Sequence, residues 1–188
     1  MSNPRIIAGK AKGMRLKSVP GDSTRPITDR VKEAVFNIIG GDIIDASFLD
    51  LFGGTGSVGL EALSRGASRC LFFDINERAV QVLKTNIAAT GFEKNATAKL
   101  QDANKFLAHL PDQTFDYIYV APPQYKEIWK RTCQILDERD NWSSPDGWVI
   151  VQIHPIEYVK LDLKNFMEFD QRDYGSTKLV FFEHQVSS

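Results

Sequence analysis

Three observations predict an α/β fold built on a mostly parallel sheet. From Ser47 onward, short apolar runs alternate with helical periods, the pattern left by parallel strands joined through crossover helices. Asp50, Asp74 and Asp102 lie at or just past the ends of three successive runs. Between Asp50 and the next helical period lies Leu51-Phe52-Gly53-Gly54-Thr55-Gly56, a glycine turn that lets the backbone reverse sharply and come close to a ligand.

The elements follow in chain order. Arg5 to Gly9 and Met14 to Val19 flank a Gly/Lys-rich turn, which predicts a small N-terminal β-hairpin over residues 5–19. Thr24-Arg25-Pro26-Ile27-Thr28 stays extended, because the residue before a proline disfavours the helical region. Thr28 caps a helix from Asp29, in which Val31, Ala34, Val35, Ile38 and Ile39 recur at helical spacing until Gly40-Gly41 stops it. Strand 47–52 leads to a helix over about 57–65. A strand over 69–73 ends at Asp74, and Asn76 caps a helix carrying Ala79, Val80, Val82, Leu83, Asn86 and Ile87 on one side. Strand 96–100 ends near Asp102, before a short helix through Phe106, Leu107 and Leu110. Strand 115–120 runs into Ala121-Pro122-Pro123-Gln124-Tyr125, and a helix over about 126–136 precedes strand 148–153. Residues 166–169 and 178–182 flank Asp173-Tyr174-Gly175-Ser176 and read as a terminal antiparallel hairpin.

With 188 residues, 43% hydrophobic and 25% charged, the chain has the size and composition of one ordinary globular domain. Neither Cys70 nor Cys133 belongs to a CxxC or Cys/His cluster, so the expectation is two free thiols and no metal site. No run approaches the ~20 apolar residues of a membrane span, and no apolar h-region follows the N-terminus, so the expected location is cytoplasmic, away from any membrane. Charge is uneven. Residues 1–32 hold eight basic and two acidic side chains, a local charge of +6, against −7 on the remainder. A basic arm on an acidic body suggests a polyanionic partner.

Ligands of open parallel sheets bind at the carboxyl ends of the strands, where the three acids fall. Gly54-Thr55-Gly56-Ser57-Val58-Gly59 matches GxGxxG with Asp74 about twenty residues on, as a dinucleotide site requires. Against a nicotinamide dinucleotide stand Asp50, which would repel a pyrophosphate, the further acid Asp102, and the lack of chain for a substrate domain. S-adenosylmethionine fits better: Asp50 suits its ammonium group, Asp74 can accept from both ribose hydroxyls, and Asp102 can accept from an exocyclic amine beside the backbone of Ala103.

Asp50 to Gly59, with Thr24 to Glu33 upstream and Ala121 to Tyr125 downstream, resembles the bacterial small-subunit ribosomal RNA guanine-N2 methyltransferase family. Arg5-Ile6-Ile7-Ala8-Gly9 and Leu60 to Ala67 agree as well, so the likeness covers almost the whole chain. The resemblance implies a Rossmann-like class I methyltransferase fold: a seven-stranded, mostly parallel sheet with a reversed last strand, in a single domain over 1–188. Its core would span 47–183, and a segment and helix over 24–40 would cover the cofactor. It implies that Asp50, Phe52, Gly53, Gly54, Thr55 and Gly56 hold the methionine end of S-adenosylmethionine, Asp74 and Ile75 the ribose side, and Asp102 and Ala103 the adenine. Thr24, Arg25, Pro26 and Thr28 would close over the cofactor, with S-adenosylhomocysteine as product and no metal. Arg5, Lys10, Lys12, Arg15, Lys17 and Arg30 would meet the backbone of ribosomal RNA, free or in the small subunit, and the protein would act as a monomer.

One departure bears on catalysis. The family pattern is Asp-Pro-Pro followed by an aromatic, and this chain has Ala121-Pro122-Pro123-Gln124-Tyr125. Methyl transfer to an exocyclic amine needs acceptors for the amine's hydrogens. Here the Pro122 carbonyl and Gln124 remain, while Tyr125 is offset by one position from the aromatic that would stack on a flipped base. Alternatives are an RNA-binding or assembly relative with weak or lost catalysis, and a methyltransferase acting on another nucleic acid or on protein. His109, His154 and His184 read as surface or packing residues, Trp129, Trp142 and Trp148 as core, and Asp137 to Asp140 as a solvated helix end.

Overall fold

The computed structural model describes residues 3–21 and 26–185, so Thr24 and Arg25 of the expected covering segment lie outside the described residues. The chain divides into two compact units, Met1–Gln101 and Asp102–Ser188.

In the first unit, α1 (Asp29–Ile39) is capped by Thr28, whose Oγ1 accepts the Val31 N–H at 3.3 Å, and ends where Gly40 turns to φ 65°. Strand β1 (Ser47–Asp50) is shorter than its apolar run. Leu51 and Phe52 already belong to the turn, which the Gly53 N–H anchors to the Phe73 carbonyl at 2.7 Å. Then come α2 (Ser57–Ser64), β2 (Arg69–Asp74), α3 (Glu77–Thr90), capped by Asn76, and β3 (Ala96–Leu100). The strands pair in parallel, β1 with β2 and β2 with β3. Every residue of α2 is buried, and its approach to β2 depends on Gly59, where an added Cβ would sit 2.3 Å from the Phe72 ring and 2.6 Å from Cys70 Sγ. The hairpin expected over 5–19 forms, with an antiparallel bridge between Arg5 and Arg15 and backbone bonds from the Ile6, Gly13 and Leu16 N–H groups to the Met14, Ile6 and Pro4 carbonyls at 2.9, 2.8 and 2.7 Å.

The second unit contains α4 (Ala103–Leu107), β4 (Phe115–Val120), α5 (Ile128–Glu138), β5 (Ser143–Ile153), β6 (Phe166–Tyr174) and β7 (Thr177–His184). Strands β4 and β5 are parallel, while β7 runs antiparallel to both β5 and β6. Among the described residues the sheet has seven strands, mostly parallel with the last reversed, as expected. Leu179, Val180, Phe181 and Phe182 of β7 are all buried, each worth about 1.5–3 kcal/mol of transfer free energy. Helix α5 begins two residues later than its sequence period because Tyr125 and Glu127 take left-handed backbone, φ 65° and 53°. Strand β5 begins five residues earlier than its apolar run, since Ser143 pairs with Phe115 before a register shift.

The end of α5 corrects the expectation of a solvated terminus. Asp137 is buried, and its carboxylate accepts the N–H groups of Lys164 and Asn165 at 2.9 and 2.7 Å. Trp129 and Trp142 are core residues; Trp148 is half-buried against Tyr117 and Phe169. Cys70 and Cys133 are free and buried, and burial pushes the Cys133 thiol up to about 12. Among the described residues no helix is long and apolar enough to cross a membrane, and no cluster of His, Cys, Asp and Glu could hold a metal ion.

Candidate active site

At the end of β1 the chain reverses through two left-handed glycines, Gly54 at φ 54° and Gly56 at φ 81°, before α2 begins. Gly56 is required twice over: its backbone disfavours any side chain, and an added Cβ would lie 2.4 Å from Leu83 Cδ1. Asp74, at the end of β2, ties the loop down, with Oδ2 accepting the Gly54 N–H at 2.9 Å and Oδ1 the Asn76 N–H at 2.8 Å. Each Asp74 oxygen retains a second lone pair that a hydroxyl could use. Ile75 beside it is 73% exposed, an apolar side chain left in solvent at the rim of the loop.

Asp50 stands apart from Asp74. It is 2% exposed, receives backbone N–H groups from Phe52 and Gly59, and leaves Oδ1 buried without a partner among the described residues. Burial, aided by the negative charge of Asp74, raises its pKa from 3.8 to about 7. A buried carboxylate oxygen with nothing to accept from is costly unless a ligand supplies a donor. A cationic donor would also restore the ionised form. With the flanking glycine cradle, this chemistry fits the ammonium-bearing end of S-adenosylmethionine and fits a pyrophosphate poorly.

Beside this loop lies a buried ionic cluster that periodicity reasoning missed. Glu61 of α2 is fully buried and pairs with Lys32 Nζ at 3.2 Å and Arg65 Nε at 2.8 Å. Its oxygens also accept the N–H groups of Ile7 and Ala8 at 2.9 and 3.0 Å. Lys32, its pKa lowered by burial against the pull of Glu61, donates to the Arg5 carbonyl and to Ser57 Oγ at the start of α2. Ser64 binds the same arm, its Oγ accepting the Ala11 N–H at 2.9 Å and donating to the Ala8 carbonyl at 2.6 Å. Asn86 of α3 holds both directions of the Lys17 backbone, at 2.8 and 3.0 Å, and also donates to the Thr55 carbonyl at 2.8 Å. Breaking such a buried pair by deleting one partner typically costs 3–5 kcal/mol, because the other charge stays behind. A signal was available in the sequence: Lys32 falls on the stripe of Val35, Phe36 and Ile39, and Glu61 sits in an otherwise small and apolar helix.

The arm turns its apolar residues Ile6, Leu16 and Val19 inward and leaves Arg5, Lys10, Lys12, Arg15 and Lys17 exposed. Arg5 pairs with Asp29 at 2.7 Å, and Arg30 is exposed on α1. Pro26 and Thr28 lead into that helix, with Thr28 occupied as its cap.

In the second unit, Asp102 caps α4 by accepting the Lys105 N–H at 2.9 Å, and Ala103 is buried behind it. After β4, Ala121 is half-buried, Pro122 buried, and Pro123, Gln124 and Tyr125 are exposed. Glu157, which sequence reasoning passed over, accepts the Tyr125 N–H at 2.8 Å and the His154 N–H at 3.1 Å. The Tyr125 and His154 ring centroids lie 5.6 Å apart.

A family model described as conserved hypothetical protein 95 matches residues 4–183. The Bacillus subtilis protein YlbH is 38% identical over 79% of this chain and 81% of its own length. Ribosomal RNA small subunit methyltransferase D of Escherichia coli is 33% identical over 79% of this chain and 73% of its own. The solved structure of the Escherichia coli protein yhhF superposes with a TM-score of 0.87 at 28% identity, covering 98% of this chain and 99% of that one. With the glycine loop and the strand-end acids in place, the chain belongs to the conserved hypothetical protein 95 family, alongside the small-subunit ribosomal RNA methyltransferases D.

Proposed function

We propose that this chain transfers a methyl group from S-adenosylmethionine to the exocyclic N2 amine of a guanine in small-subunit ribosomal RNA. The coarser reading, an S-adenosylmethionine-dependent ribosomal RNA methyltransferase, follows from family membership. The observation that carries the cofactor reading is the unpartnered buried oxygen of Asp50 beside the glycine loop. The guanine-N2 target is supported by the resemblance of residues 24–33, 50–59 and 121–125 to enzymes of that specificity.

The cofactor supplies an electrophilic methyl on a sulfonium sulfur. Asp50 takes its ammonium end, Phe52 and Gly53 to Gly56 line its methionine, and Asp74 and Ile75 serve the ribose side. Asp102 and Ala103 serve the adenine, and Pro26 and Thr28 close over it. For the substrate, the Pro122 carbonyl and Gln124 accept the amine's hydrogens and so turn its lone pair outward. Pro123 stiffens the loop, and Tyr125 offers a ring to the extruded base. Ala121 contributes no acceptor, which makes transfer slower than with an aspartate there. Arg5, Lys10, Lys12, Arg15, Lys17 and Arg30 bind phosphates of the RNA or of the small ribosomal subunit, giving affinity that falls with salt. The protein acts as a monomer in the cytoplasm.

The test is labelled-methyl transfer to naked small-subunit RNA and to small-subunit particles, followed by digestion to nucleosides. The expected product is N2-methylguanosine. Cofactor binding without transfer to either substrate would overturn the enzyme reading, and label in another nucleoside or in protein would overturn the target.

A further inference from the structure

The loop after β4 and the turn after β5 are stapled by a single side chain. Strands β4 and β5 are parallel neighbours, with Val120 opposite Val151, so their carboxyl ends open side by side. Glu157 spans the two exits: Oε1 accepts the N–H of Tyr125 at 2.8 Å, and Oε2 accepts the N–H of His154 at 3.1 Å. His154 is fixed a second time, since its Nδ1 accepts the Ile156 N–H at 3.2 Å. Its ring lies 5.6 Å from that of Tyr125, centroid to centroid. Tyr125 sits at φ 65°, a conformation a bulky residue keeps only where its surroundings hold it. Even so, Tyr125 is 66% exposed and Ile156 is 77% exposed. An aromatic residue fixed in an unfavourable backbone, with a second ring behind it and its own ring left in solvent, is built to receive a flat partner.

We propose that Glu157 is a positioning residue for substrate: it holds Tyr125 so that the tyrosine ring, backed by His154, forms the face on which an unstacked purine of the RNA lies. This rests on the reading above that residues 121–125 receive the target base. The ring shifts the stacking position one residue along from Gln124, and Glu157 supplies the hold that the shifted position needs.

The test compares Glu157→Ala, Glu157→Gln, Tyr125→Phe and Tyr125→Ala with the wild type. The readouts are amide exchange at Tyr125, calorimetric affinity for S-adenosylmethionine, and kcat and KM for transfer to small-subunit particles. In Glu157→Ala, Tyr125 amide exchange should rise at least about ten-fold and kcat fall about 10–100-fold, as misplaced substrate-positioning groups do. Cofactor affinity should stay within about two-fold. Glu157→Gln keeps one acceptor and should fall between, while Tyr125→Phe keeps the backbone N–H and should retain exchange protection. Unchanged exchange in Glu157→Ala overturns the staple. Unchanged transfer in Glu157→Ala, when Tyr125→Ala is impaired, overturns its role in positioning substrate. If Tyr125→Ala transfers normally, the stacking face is overturned. If the wild type transfers nothing to particles or naked RNA, it is the proposed function that fails, and amide exchange alone decides the staple.

Discussion

Two loops at strand ends, one in each unit, solve the same problem by opposite means. The loop after β1 takes its left-handed turns at glycines, Gly54 and Gly56, where such backbone costs little. The loop after β4 takes them at Tyr125 and Glu127, where a side chain makes each worth roughly 1–3 kcal/mol of strain. The first loop therefore has residues suited to its turns, with Phe73, Asp74 and Asn86 adding clasps. The second depends on Glu157, thirty-two residues further along the chain. A loop whose left-handed turns fall on glycines carries little strain of its own, whereas one that bends at a side chain needs a hold to offset the strain.

Substitutions can break this contrast. The largest effect is expected for Gly56→Ala, which adds a Cβ 2.4 Å from Leu83 Cδ1 on a backbone at φ 81°. Strain and overpacking together should cost about 2–5 kcal/mol, seen as a lower denaturant midpoint at unchanged slope. A loss below 1 kcal/mol would mean that the clasps on the first loop, and not its glycines, fix its shape.

Next in size is Ala121→Asp, which gives the second loop the acceptor it lacks. Transfer should rise by ten-fold or more, up to about the 10²–10³ typical of one catalytic hydrogen-bonding group, with cofactor affinity unchanged. If transfer is measurable and does not rise, the carboxylate is not what limits this protein.

The third prediction concerns the charge beneath the first loop. The pKa of Asp50 is raised from 3.8 to about 7 in the folded protein, so the acid form is favoured by folding. Its contribution to stability is full below about pH 4 and is lost as pH rises through about 7, leaving the ligand-free protein less stable at pH 8 than at pH 5 by this residue's share. Binding of an ammonium-bearing cofactor favours the ionised form, so affinity should rise about ten-fold from pH 6 to pH 8, with proton release at pH 6. Calorimetry in buffers of different ionisation enthalpy measures that release. Asp50→Asn should abolish the pH dependence while weakening binding; a dependence that survives would place the titrating group elsewhere.

The smallest effect is expected for Tyr125→Gly. Removing the ring relieves the left-handed strain, so global stability should change by less than about 1 kcal/mol in either direction while methyl transfer falls. A stability loss above 2 kcal/mol would show that the tyrosine serves packing.

Much of the fold was legible in the residues. Thr28 and Asn76 cap their helices, Gly40 ends the first of these, and Asp50 and Asp74 close their strands, because each effect acts within one turn of chain. The N-terminal hairpin was legible as well, and backbone bonds such as that from the Ile6 N–H to the Met14 carbonyl close it; its anchoring to Glu61, Ser64 and Asn86, more than fifty residues away, was not. The end of α5 was misread for a related reason: Asp137 looks like a solvated acid until Lys164 and Asn165 bring it two backbone N–H groups.

The sequence by itself determined the alternation of strands and helices, the glycine turn, the acids at the strand ends and the family pattern with its alanine at position 121. These are periodic or adjacent features, and covalent spacing places them. Tertiary structure alone decided that Asp50 is buried with an unpartnered oxygen while Asp74 is clasped to the loop, and that Lys32 and Glu61 pair inside the first unit. It alone put Glu157 under Tyr125. Desolvation and pairing depend on what the folded chain brings alongside a group, and spacing along the sequence carries no record of that.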